Sequence, residues 1–231
     1  MSTMFSTKGR KGLAAVALVA ATSLSLTACG SDDESSSSSS SSSSETASAP
    51  KPVASIYSLT GEQTQITLDQ GFVDALTQLK LTPGTVGTAK LTEGALIFPI
   101  TGGNVTVFKP GEVSPYVIGQ IQHEGSGLSL AAGGTKVELT NLNVDPGVSR
   151  VYGDVVVNGK VAASSAYLFQ LDGRTLNPLT TGNGTATLEG TQVKISPVAA
   201  PLLNQTFKTD AVKPGLLVGI AKITVNTTPG Q

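Results

Sequence analysis

Residues 150–161 read RVYGDVVVNGKV, with valines at 151, 155, 156, 157 and 161 set around the dipeptide Asn158-Gly159. Asn-Gly is the strongest short hairpin signal, because both central residues of a type I′ turn take positive φ. The valines are β-branched and suit a pleated surface better than a helix. Just upstream, TKVELTNLNVD (135–145) alternates Val137, Leu139 and then Leu142 or Val144 with polar residues, the period of a half-buried strand. These neighbouring segments set the fold class as β.

The pattern extends in both directions. Apolar runs at 95–100 and 105–108 flank Thr101-Gly102-Gly103-Asn104, which reads as a hairpin connection. Further strands are expected at 166–171, 175–180, 185–188, 192–195 and 216–225. About ten strands with turn signals every 8 to 12 residues point to an all-β domain, a single sandwich or partly open barrel. The chain has 26 Gly and no Trp, which favours short strands and tight turns over a core of large aromatics. One or two short helices interrupt the pattern. In LDQGFVDALTQLKL, Phe72, Leu76 and Leu79 recur at helical spacing behind Asp69 as N-cap. In SPVAAPLLNQTF, Ser196 fits the N-cap and Pro197 the first helical position, while Pro201 keeps that helix short or bent. Both helices are expected to cover an open end or edge of the sheet.

The chemical inventory excludes more than it proposes. There is one His, His123, and one Cys, Cys29. A zinc site built on several Cys or His side chains is not available, and no cofactor is expected. A Ser-His-Asp hydrolase would have to use His123 as its base, but no G-x-S-x-G elbow accompanies it. His123 lies in GQIQHEGSGLSL, which reads as strand, short glycine turn and second strand. Ser48 and Lys51 match a bare S-x-x-K spacing inside a Ser- and Pro-rich stretch, where catalytic positioning has no rigid support. The acidic residues are dispersed among turns, so no carboxylate pair stands out for glycoside hydrolysis. The domain therefore reads as non-catalytic. Tyr116 and His123, seven residues apart, are the candidate ligand-binding pair, facing one pocket if a single strand runs through both.

The N-terminus addresses location. Lys8, Arg10 and Lys11 precede an apolar run at 13–26, the n-region and h-region of a secretory signal. That run is shorter than the roughly 20 residues a spanning helix needs. Leu26-Thr27-Ala28-Cys29 resembles the lipobox of bacterial lipoproteins, which implies cleavage after residue 28 and a lipidated Cys29 as the first mature residue. Two or three acyl chains anchor stably where a single chain would be marginal. Residues 29–52, with ten consecutive serines at 35–44, then form a disordered tether, and 53–231 the globular domain. Twelve basic and sixteen acidic residues follow residue 29, a formal charge of −4, and the part from 52 to 231 carries only −1. Such a domain has no basic stripe for nucleic acid.

FPITGGNV, GQIQHEGSGLSLAAGGTKVELTNLNVDPG, AAPLLNQTF and PGLLVGIAKITV together resemble secreted actinobacterial β-domain proteins and, more remotely, the HtaA domain of haem-uptake surface proteins. The resemblance implies haem ligated through a tyrosine near the start of the domain with help from a histidine. The corresponding segment here, ITLDQGFVDALTQL, has no tyrosine, so no ligand residue is transferred. The expectation is a lipid-anchored protein on the outer face of the cell membrane. Its β domain would bind an unknown small ligand or cell-wall partner, the alternatives being a structural or adhesive surface domain and a haem-binding HtaA-like domain.

Overall fold

The computed structural model of the chain describes residues 49–227. The signal, Cys29 and most of the serine tether lie outside the described residues. In chain order the elements are β1 (Ala54–Ile56), β2 (Glu62–Leu68), α1 (Gln70–Gln78), β3 (Thr82–Gly87), β4 (Lys90–Thr92), β5 (Ala95–Pro99), β6 (Gly102–Val107), β7 (Val117–Ala132) and β8 (Thr135–Asp145). There follow β9 (Arg150–Val157), β10 (Lys160–Asp172), β11 (Thr180–Gly182), β12 (Thr185–Ile195), α2 (Ala199–Phe207) and β13 (Leu217–Asn226).

Thirteen strands form one antiparallel sheet in the order β1-β6-β7-β8-β9-β10-β12-β13-β2-β5-β4, with β11 added on β12 and β3 on β7. The sheet curls into a half-barrel, so of the two expected β architectures the partly open barrel is the one found. The hairpin centred on Asn158-Gly159 is present as expected, and a second tight hairpin joins β7 to β8 through Gly133-Gly134. The connection at 101–104 is not a hairpin. β5 pairs with β2 and β4, whereas β6 pairs with β1 and β7, so this short link steps from one end of the sheet path to the other. The Ile100 N–H reaches the Glu62 carbonyl and the Thr101 N–H the Gln122 carbonyl, which draws the two ends together.

Two expected turns are bulges inside long strands. β7 runs unbroken through Glu124-Gly125-Ser126, with three residues facing one on β8, and β12 runs through Gly190 with a register shift. Similar shifts fall on β8, β9 and β10, and a polar rib crosses them. Gly125 N–H donates to Asn141 Oδ1 (3.1 Å), Asn141 Nδ2 to Asp154 Oδ2 (2.9 Å), and Ser165 N–H to Asp154 Oδ1 (2.9 Å). Bulges bend a strand and increase its local twist, and their alignment across four strands bends the sheet as a unit.

The helices sit at one end of the half-barrel. Asp69 caps α1 by accepting from the N–H groups of Gly71 and Phe72, and Phe72 and Leu76 are buried. Ser196 Oγ accepts from Val198 and Ala199, so it caps as expected, although the regular helix starts at Ala199. Pro201 is the third residue of the regular helix, which continues past it to Phe207. The segment 175–180 is mostly a loop between a 3-10 turn and β11; Leu176 and Leu179 pack inward from it without joining a strand there.

Candidate functional site

Residues that alternate inward along the strands line a cavity of about 130 Å³ inside the curled sheet. Its wall is almost wholly Val, Leu, Ile, Ala and Phe; the polar side chains on it are Ser55, Thr64, His123 and Thr191. By register, the ends of β6, β8 and β10 lie beside the starts of β1, β7 and β9. At that end the lining residues Ala54, Pro146 and Leu171 are half-buried. The cavity therefore opens there. At the opposite end Phe72 and Leu76 of α1 and Leu203 of α2 gather with Leu130, Ile195 and Leu216 around a separate void of only about 20 Å³.

Of the polar side chains on the cavity wall, His123 and Thr64 are buried, His123 at only 1% exposed. Its Nδ1 lies 2.9 Å from the Pro99 carbonyl oxygen and its Nε2 3.1 Å from Thr64 Oγ1. A carbonyl can only accept, so Nδ1 carries the proton and the Thr64 hydroxyl donates to Nε2. Both ring nitrogens are thus engaged in the neutral form. Burial lowers the imidazole pKa below its ordinary 6.5, opposed by the bond to the Pro99 carbonyl. The Phe98 ring, tilted at 57° with its centroid 6.1 Å away, completes the apolar surround.

The chemical consequence is restrictive. His123 has no free lone pair for a metal or for general-base work unless it gives up Thr64. Among the described residues no group of three His, Cys, Asp or Glu could hold a metal ion.

The two candidate residues are not brought together. His123 lines the cavity; Tyr116 precedes β7, is half-buried and lies outside the lining. β7 carries His123 but begins only at Val117, and Tyr116 packs against the margin of the core without reaching the cavity wall. Val117, Ile121 and His123 point in, while Ile118 and Gln120 are exposed. Thr64 escaped the sequence reading because β2, EQTQITL, holds only two strong apolar residues, although Thr64, Ile66 and Leu68 do recur at period two. Leu176 and Leu179 were legible as apolar, but not as cavity wall, since they reach it from a loop.

No family model matches the chain, and no curated protein matches it. Among solved structures, the C-terminal domain of HtaA from Corynebacterium glutamicum is similar, with a TM-score of 0.51 and 14% identity, covering 74% of this chain and 99% of that one. A domain-swapped dimer of a variant of the same domain gives a TM-score of 0.43 at 13% identity, covering 68% and 91%. The first likeness establishes a shared β fold at an identity too low to carry function; the second is too distant to add to it.

Proposed function

We propose that this is a lipid-anchored cell-envelope protein whose non-catalytic β domain binds a small apolar ligand inside the curled sheet. The observation that carries the reading is an apolar cavity, open at one end, whose buried polar groups, His123 and Thr64, bond to each other rather than presenting free donors to the space. Barrels of this kind are suited to enclosing one small ligand. Native mass spectrometry of the protein purified from its own membranes tests it. An apolar mass released on denaturation supports the reading; identical native and denatured masses count against it.

Haem, which the HtaA resemblance brings to mind, does not fit this cavity. The lining holds no Tyr, Cys or Met, and its one imidazole has both nitrogens in use. A haem titration is expected to give no shifted Soret band at stoichiometric ratio.

A structural or adhesive role draws on the outer wall. Gln122, Asn143, Tyr152 and Tyr167 are direct cross-strand neighbours from β7 to β10. The Arg150 guanidinium lies 4.6 Å from the Tyr167 ring centroid. If this row grips cell-wall polymer, Tyr152→Ala with Tyr167→Ala abolishes co-sedimentation with purified walls; unchanged co-sedimentation removes that role.

A further inference from the structure

The cavity also indicates what kind of molecule enters it, an inference that rests on the ligand-binding reading above. Pockets that enclose a drug-sized molecule measure roughly 300–1,000 Å³, whereas this one measures about 130 Å³. An apolar cavity of similar size, about 150 Å³, accommodates benzene. The space therefore holds only a fragment of about six carbons, and the remainder of a larger ligand must project through the open end. Within, Thr64 donates to His123 Nε2 and His123 Nδ1 donates to the Pro99 carbonyl, so neither imidazole nitrogen nor the Thr64 proton is free for a ligand, and the remaining wall is almost wholly hydrocarbon. Burying an unpaired polar atom is costly. We infer that the site takes a single unbranched alkyl chain, lengthwise, leaving its polar head outside beside Pro146 and Leu171.

Chain insertion predicts a dependence on length. Each buried methylene tightens binding by about fourfold, until the cavity is full; further methylenes lie at the mouth and add little. A whole-molecule pocket would instead show an optimum, with longer homologues rejected.

The test is a methyl NMR titration of the purified full chain with n-alkanols from butanol to decanol, and with benzene as a compact probe. Shifts at Ile121, Val193 and Ala221, with affinity rising steeply to about hexanol and then levelling, support the inference. Shifts with benzene but none with alkanols overturn the alkyl class while leaving a ligand cavity in place. No shift with any probe overturns both. Phospholipid vesicles distinguish the source: the same methyl shifts with vesicles identify a membrane acyl chain, and shifts with free alkanols alone identify a soluble amphiphile. Ala186→Ile, which fills the cavity, is expected to abolish the alkanol shifts at wild-type circular dichroism. Should that variant misfold, the length series in the wild type decides alone.

Discussion

At the residue scale, His123 is the buried titratable group of the cavity wall. A buried imidazole held neutral by its surroundings ties stability to pH in one direction. Its folded pKa lies below the ordinary 6.5, so on acidification the unfolded chain takes up the proton first. Its contribution is complete above about pH 6.5 and is lost as pH falls through the folded pKa. The thermal midpoint is expected to drop between pH 7 and pH 5, and to drop less in His123→Gln. An unchanged slope in that variant would place the pH dependence elsewhere. The carboxyl of Asp172, held well below the usual carboxylate range by Arg174 and then by Lys194, loses its contribution only in stronger acid and does not confuse that window. His123→Ala would leave the Pro99 carbonyl and the Thr64 hydroxyl without partners and enlarge the cavity, costing about 2–4 kcal/mol in denaturant unfolding.

At the scale of elements, the bends matter as much as the strands. Gly119 in β7 has φ +127°, and a Cβ there would stand 2.2 Å from the Asn104 carbonyl oxygen of β6. Gly119→Ala therefore meets both strain and collision, and should cost at least about 2 kcal/mol. A loss below 0.5 kcal/mol in urea unfolding would show that the β6–β7 approach is looser than described. Such positions explain which parts of the fold were legible. The Asn158-Gly159 hairpin and the α1 cap at Asp69 are local, so their residues announce them. The bulge at Gly125 and the link at 101–104 use the same glycine chemistry as turns. Only the partner strand decides between a turn, a bulge and a step across the sheet, and local sequence does not identify that partner. β3, TPGTVG, was missed for a related reason: Pro83 and two glycines make it read as loop, yet pairing on β7 sustains it as an edge strand.

At the scale of the whole molecule, the half-barrel has one end packed with helices and one end open. The first strand, β1, begins at Ala54 beside the open end, so the chain enters the domain there. With Cys29 lipidated, as proposed, the protein should partition into the detergent phase, and Cys29→Ser should move it to the aqueous phase; detergent partitioning that survives the substitution would remove the anchor. His123 was legible as the lone imidazole, but its partner and its cavity were not, because both arise from strands far apart in sequence that only the curl of the sheet brings together. The ligand proposed above would lie within this curl. Electron density inside the sheet, in crystals of protein taken from its native membranes, tests it most directly. An elongated feature bounded by Ile121, Val193 and Ala221 and extending toward Pro146 is the predicted result. Side chains closing the space, with no ligand density, would contradict it.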